Sequence, residues 1–579
     1  MGTFQKFKIF QSSTFYFFIL LLISFILYWE PAYRAPILNF DDRQLLIPMA
    51  NVRSIYDYIS LWQGNMIMDL QPVRDLSYFL EYRLAAVQGI GIHPQAFNVL
   101  LWISACFFAV KIFRMQGFAD LESKLAGLFL SVHPVAVNSI AWSSGRKHVL
   151  SLFFISIASW LWLRWLHSEK RGVPFSAVLF YILSCLSQPI NAGWVLWAGL
   201  TVYLFHDSVS QRNEKIRNSA VPIILCLISG IITVSLNVWY YSSSRYSVGL
   251  GTKFVDEGFA AVPNRFFIFG RFLFQLLIPF RPSITSYDPS SWLSVIGIII
   301  LPLFIFAVWK LNENRKQIIV WSFFTLLPLI TVNGPSNQHF GWDTYLLTPL
   351  LGWTMILGLT LRNISEKYNA SDRNLLIIIL SFILIFSVIA KTASEAWKDD
   401  ESLWKRAMET EGSAAAMAGY IKTSLSLKKN VHKLWPNALE LQKKQPNDQD
   451  IPYIFGRMIF EDPELNRNEK EELFAKYEMK SPWFVYYRSA FDASDRRFTD
   501  ADRRMSELFQ NDPGKTALYF RDRLPEISAS WYAMCVFAKK STCQENIRQI
   551  RRSLPPGRWN EEEFSKRLSS FRLAPFKSE

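Results

Sequence analysis

The chain has 579 residues, of which 50% are hydrophobic, 16% aromatic and only 19% charged. Soluble domains carry nearer a quarter charged residues, and 47 Phe, 21 Trp and 22 Tyr are more apolar bulk than one soluble core can use, which excludes a disordered chain, a disulfide miniprotein and an ordinary cytosolic enzyme. Lys and Arg number 62 against 48 Asp and Glu, an excess of +14 that in so apolar a chain reads as the basic bias of cytoplasmic loops; no nucleic-acid partner is expected.

The first apolar run, 15–29, follows Lys6 and Lys8 and ends at Trp29-Glu30-Pro31 with no small-residue cleavage site. It predicts an uncleaved first span with the N-terminus in the cytoplasm. A span needs about 20 apolar residues. Further runs lie at 96–113, 124–142, 148–166, 175–188, 190–206, 221–242, 263–280, 292–310, 318–333, 344–361 and 374–392. Basic clusters set the orientation: Lys111, Arg114 and Lys124; Arg164, Lys170 and Arg171; Arg212, Lys215 and Arg217; Arg315 and Lys316; Arg362, Lys367 and Arg373. They alternate correctly if 263–280 is re-entrant or irregular, giving eleven crossings and an outside C-terminus. Segment 30–95 and the loops 143–147 and 334–343 then share the outer face.

The fold class expected is all-α and polytopic: a membrane domain over 1–396, then an extracytoplasmic helical domain over 397–579. Apolar runs stop after Trp397, and break points at Gly412, Pro446, Pro482 and Pro513 recur at 34, 36 and 31 residues. A period near 34 with paired helices marks tetratricopeptide-like repeats, although an irregular helical domain fits the spacing as well. Either suits holding a partner more than chemistry. Cys106, Cys185 and Cys226 fall in spans as small apolar residues, and Cys535 and Cys543 lie eight residues apart without zinc spacing. A disulfide between these two fits an oxidising compartment.

Three constellations on the outer face could carry chemistry. Asn39-Phe40-Asp41-Asp42-Arg43 opens the first outer loop. Its carboxylates either act as a general base on an acceptor hydroxyl or simply cap a helix over Leu45–Ala50. His133-Pro134 and Trp142-Ser143-Ser144-Gly145-Arg146-Lys147-His148 join two spans. Cations placed outside oppose the basic bias and would suit an anionic lipid head, or they merely snorkel. His339-Phe340-Gly341-Trp342-Asp343-Thr344-Tyr345 begins another span, where an aromatic belt explains Trp342 and Tyr345 equally well.

Phe40-Asp41-Asp42, Gln71-Pro72-Val73-Arg74-Asp75-Leu76-Ser77, His133-Pro134 and Ser144-Gly145-Arg146-Lys147 occur in that order, followed by Ser187-Gln188-Pro189, Asp343-Thr344-Tyr345-Leu346 and Trp397-Lys398-Asp399-Asp400-Glu401-Ser402-Leu403-Trp404. Together they resemble multi-spanning, lipid-donor glycosyltransferases of the GT-C fold, in particular the transmembrane-and-tetratricopeptide O-mannosyltransferase-like group and its bacterial relatives. The resemblance implies a sugar donor on a polyprenyl phosphate, an outer-loop Asp (Asp41 or Asp42) as base, and inversion at the sugar. It places Arg146, Lys147 and His133 at the donor phosphate, and Arg74, His339, Asp343 and Tyr345 in the substrate pocket. The chemistry is coherent: an alcohol needs a base as an oxocarbenium-like centre forms, and the departing phosphate needs positive charge. No His, Asp or Glu cluster has metal-ligand spacing, although Asp41 or Asp42 could hold a divalent cation with substrate phosphate.

The departures are as specific. Gln71 stands where relatives have Arg, Asn138 where they have Glu, and His148 where they have Asp. Ser187-Gln188-Pro189 replaces Ser-Lys-Glu, and Thr344 replaces an Arg. A different donor or a chain that no longer catalyses would each explain the loss. Three readings follow. The first is a glycosyltransferase with membrane lipid around it and a protein acceptor held by 397–579. The second is a membrane scaffold docking a partner through that same domain, and the third a transporter of polyprenyl-linked glycans. The spans show no internal repeat of the transporter kind. The expected location is a bacterial inner membrane, or the endoplasmic reticulum if the source is eukaryotic.

Overall fold

The computed structural model describes residues 12–34, 36–38, 42–50, 52–63, 69–89, 91–168, 173–205, 209–243, 262–280, 282–284, 315–332, 343–368, 372–446, 450–479, 481–511, 523–553 and 561–571, with isolated positions between 295 and 310 and at 516 and 520. Among these residues the regular structure is helical and there is no strand. Two compact units form, Met1–Ser413 and Ala414–Glu579.

Among the described residues of the first unit, six helices are long and apolar enough to cross a membrane: Ser13–Arg34, Pro94–Met115, Ser143–Leu166, Arg212–Tyr240, Asp343–Tyr368 and Arg373–Lys398. Asp120–Val132 and Pro134–Ala141 form a pair bent by 49° that would make a seventh. The bend falls at His133-Pro134, where proline has no N–H for the helical ladder. The runs at 175–188, 190–206, 263–280 and 318–333 form helices Phe175–Ser187, Trp194–Leu204, Val262–Leu277 and Arg315–Val332, which fall short of that test. Most of 292–310 lies outside the described residues.

The bundle is built around Arg146–Leu166, which packs between Pro94–Met115 and Phe175–Ser187. Trp102, Trp162 and Trp197 are fully buried there, whereas Phe382, Leu384 and Val388 of Arg373–Lys398 point outward. An unbroken outward apolar stripe of that kind is suited to lipid and not to water. Close helix packing needs small residues: a Cβ on Gly352 would strike Thr325 of the adjoining Arg315–Val332 helix. Residues 397–413 belong to this unit. The Trp397 indole donates to Asn138 Oδ1 at 3.2 Å, and Asp399 caps the Asp400–Glu411 helix by accepting from Ser402 N at 2.7 Å.

The second unit is a succession of helices from Ala414–Ser426 to Glu561–Ser570 in which contacts run chiefly between neighbours in sequence. Ile451–Glu461 packs on both Ala414–Ser426 and Pro482–Ser494, and Leu524–Phe537 packs on Phe498–Asn511 and Glu561–Ser570. Such stacking buries a continuous core without distant contacts. Of the four expected break residues, Gly412, at φ 58°, caps the helix that stops at Glu411, Pro446 follows the end of Trp435–Lys444, and Pro482 opens Pro482–Ser494, while Pro513 lies outside the described residues. Cys535 and Cys543 are joined by a disulfide, with Cα atoms 5.6 Å apart.

Candidate functional site

The motifs singled out in the sequence come together at one end of the first unit, where Pro94–Met115, Arg146–Leu166 and Leu347–Tyr368 begin and Ser13–Arg34 and Asp372–Ser394 finish. The centre is the turn Trp142–Arg146, and four segments hold it. Asp42 is fully buried: its Oδ1 accepts from Ser144 N at 2.9 Å and from Ser144 Oγ at 2.6 Å, while its Oδ2 accepts from Leu38 N at 3.1 Å. Tyr78 donates its hydroxyl to the Ser143 carbonyl, Gln95 Nε2 donates to Ser143 Oγ, and Asn98 Nδ2 donates to the Trp142 carbonyl at 2.9 Å. A Cβ on Gly145 would collide with the Ser139 carbonyl, so the turn tolerates only glycine there.

Arg146, held by this turn, is fully enclosed. Its Nε donates to Asn98 Oδ1 at 3.1 Å, its Nη2 to Glu81 and to the Pro94 carbonyl at 3.1 Å, and its plane lies 4.0 Å from the Tyr78 ring centroid. A cation so deep requires a partner, and Glu81 is that partner. The sequence reading did not single out Glu81. Arg74, Tyr78 and Glu81 fall at i, i+4 and i+7 of the Pro72–Gln88 helix, and this one-face pattern was the available signal.

A second buried network adjoins it. Arg74 Nη1 meets Asp69 Oδ1 at 2.6 Å and its Nε donates to Asp75 Oδ1 at 2.7 Å; Lys147 Nζ donates to Asp69 Oδ2 at 3.1 Å. Trp62 Nε1 donates to the other Asp75 oxygen at 3.2 Å. Gln71 Nε2 donates both to Asp69 Oδ2 at 2.8 Å and to Gln188 Oε1 at 2.6 Å. Burial alone would raise the Asp69 carboxyl, but the charges of Arg74 and Lys147 outweigh it and hold Asp69 well below the usual carboxylate range. Asp75 goes the other way: burial, reinforced by the Asp69 charge, pushes it up to about 6 in spite of Arg74.

The remaining expected residues line the third side. Asp343 is buried, with Oδ2 accepting from Ser283 N at 2.6 Å and Oδ1 without a partner among the described residues. Thr344 Oγ1 and His148 Nε2 are buried and likewise unpartnered. The His148 ring meets Tyr345 edge-on at 5.3 Å. Asn138 joins this side by donating Nδ2 to the Ser283 carbonyl. His133 instead packs its ring between Phe129 and Phe386, at 5.7 and 5.1 Å, in an apolar setting. Asp41 and His339 lie outside the described residues.

Asp42, Arg146, Lys147, Arg74, Asp343 and Tyr345 therefore belong to one polar end of the bundle. Its innermost cations are matched by acids: Arg74, Arg146 and Lys147 stand against Asp69, Asp75 and Glu81, with Asp42 in addition. Among the described residues, no group of three or more His, Cys, Asp or Glu side chains is arranged to hold a metal ion. No protein-family model matches the chain, and no curated protein matches it.

Proposed function

We propose that the chain is an integral membrane glycosyltransferase of the GT-C type, moving a sugar from a polyprenyl-phosphate donor to a hydroxyl acceptor on a protein at the extracytoplasmic surface. The observation that carries this reading is convergence. Motifs hundreds of residues apart, picked out for one chemistry, meet around the Trp142–Arg146 turn at the ends of several apolar helices.

Within this reading the roles divide. Asp42 uses both oxygens to clamp Leu38 and Ser144, so it is the positioning residue and Asp41 is the base. Arg146 keeps the turn in shape through Glu81, and Lys147, paired with Asp69 and less enclosed than Arg146, would be the cation offered to a departing phosphate. Asp343, Thr344 and His148 offer unpartnered buried polar atoms suited to sugar hydroxyls. Helix direction supports eleven crossings. Leu276 and Ser283 approach His133 and Asp343, so Val262–Leu277 finishes at the polar end, as a re-entrant or irregular segment would. The Ala414–Glu579 unit, read as tetratricopeptide-like repeats, would present the acceptor.

A specific observation favours a second reading, a non-catalytic scaffold. Gln71 and Gln188 occupy positions where relatives place cations, yet Gln71 donates directly to Gln188, and Arg74, Arg146 and Lys147 are each paired with an acid. Purified protein incubated with a panel of polyprenyl-phosphate sugars and membrane-protein acceptors separates the two. Transfer by the natural chain, abolished in Asp41→Asn with unchanged thermal stability, is the expected result. No turnover with any donor, alongside stable capture of a protein by the second unit, would establish the scaffold.

A further inference from the structure

The polar end accounts for one surface of the bundle; the opposite end carries a different arrangement. Lys111 Nζ lies 4.9, 5.0 and 4.7 Å from the ring centroids of Phe107, Phe108 and Trp160. The Arg164 guanidinium lies 5.5 Å from the same Trp160 ring. Phe108 and Trp160 are themselves in contact, with centroids 5.6 Å apart, so the Pro94–Met115 and Arg146–Leu166 helices share this cluster.

Depth along the helices places the cluster. Lys111 is 17 residues beyond Pro94 and Arg164 is 18 beyond Arg146. At a rise of 1.5 Å per residue, both lie about 26 Å from the polar end. A bilayer core is about 30 Å thick, so the cluster falls at the other headgroup boundary. Both cations end stripes of exposed and half-buried residues: Phe97, Leu100, Phe107 and Lys111 on one helix, and Phe153, Trp160 and Arg164 on the other.

Most neighbouring cations are occupied. Lys124 donates to Asp120 at 2.6 Å, Arg114 pairs with the same carboxylate, and Lys215 donates to the Trp165 and Ser168 carbonyls at 3.0 and 2.7 Å. Lys111 and Arg164 have neither an acid nor a carbonyl partner among the described residues. Ring faces hold both cations without neutralising them, with Lys111 half-buried and Arg164 exposed. We infer that Lys111 and Arg164, bridged by Trp160, form a site for the phosphate of an anionic phospholipid headgroup. Snorkelling alone would place either cation at this depth, but two unneutralised cations on one ring make a divided anion site.

This inference rests on the membrane placement above and not on catalysis. The full chain in nanodiscs of phosphatidylcholine, with and without phosphatidylglycerol, is titrated and the retained lipid counted by native mass spectrometry. Each cation near an anionic surface is worth about a five-fold factor, so Lys111→Gln/Arg164→Gln should bind phosphatidylglycerol roughly 25-fold more weakly, and Lys111→Arg/Arg164→Lys should restore it. Equal phosphatidylglycerol retention by the natural chain and the Gln pair would overturn the site. Equal competition by inorganic phosphate would overturn the lipid assignment in favour of a plain anion site. A chain that fails to enter nanodiscs at all would refute the membrane reading instead.

Discussion

Gln71 Nε2 donates to Gln188 Oε1 at 2.6 Å, joining residues 117 positions apart across the buried polar end. The same amide donates to Asp69 at 2.8 Å, so both of its hydrogens are committed. Two cations at these positions would need an anion between them, whereas two amides bond to each other directly without a ligand. Gln71→Leu strips a donor from both Asp69 and Gln188 and should destabilise the protein by about 1–3 kcal/mol. Gln188→Leu should cost a similar amount, and the double variant less than the two together, because each single change orphans a buried amide. Heat denaturation in detergent measures all three, and strict additivity would show that the pair is not coupled.

Asp42 ties the Trp142–Arg146 turn to the backbone at Leu38. Asp42→Ala removes the acceptor for Ser144 N, Ser144 Oγ and Leu38 N at a fully buried position. It should cost about 2–4 kcal/mol, more than a single neutral hydrogen bond, because buried donors are left unmade. Gly145→Ala should be comparably damaging, since the new methyl meets the Ser139 carbonyl and backbone cannot yield as a side chain can. Unchanged melting temperature in either variant would remove Asp42 and Gly145 from the architecture of the turn.

Much of this organisation could be read from residue types in order. Apolar runs at 96–113, 148–166, 344–361 and 374–392 lie within helices Pro94–Met115, Ser143–Leu166, Asp343–Tyr368 and Arg373–Lys398, because lipid-length helices write their own composition. The His133-Pro134 break needed no tertiary knowledge either, since proline interrupts the ladder locally. What composition could not supply was pairing. The capture of Asp42 by Ser144, and of Arg146 by Glu81, spans 102 and 65 residues and depends on which helix ends meet. Glu81 was passed over because a lone Glu on a half-polar helix looks solvated until Arg146 is brought to it. The Gln71–Gln188 pair escaped notice for the same reason: each looked like a missing charge, and only the fold shows them facing each other.

Asp75 gives the site a pH dependence of defined sign. Its folded pKa is pushed up to about 6, above the ordinary carboxylate value near 3.9, so the fold favours its protonated form. Its contribution to stability is therefore fully present below about pH 4 and is lost as pH rises through about 6. Asp69, held low by Arg74 and Lys147, has the opposite sign and loses its contribution only as pH falls below the ordinary carboxylate range, outside that window. The difference in melting temperature between the natural chain and Asp75→Asn should change between pH 4 and 7, moving against the natural chain as pH rises. A difference that stays flat across this interval would mean that Asp75 is ionised throughout.

The Cys535–Cys543 disulfide ties the end of Leu524–Phe537 to the start of Cys543–Ser553. Closing so short a loop removes only modest freedom from the unfolded chain, and the loop-entropy relation gives about 2.5 kcal/mol. Cys535→Ser/Cys543→Ser should lower the stability of the second unit by about that amount while leaving the membrane helices intact, since the other cysteines, Cys106, Cys185 and Cys226, are buried in the first unit. Hydrogen exchange on the full chain can resolve the effect, with faster exchange confined to Leu524–Ser570. The same bond carries information about place. Disulfides persist where the environment is oxidising, so a free-thiol count on protein extracted with an alkylating agent should show three reactive cysteines after denaturation if this unit lies outside the cytoplasm, and five if it lies within.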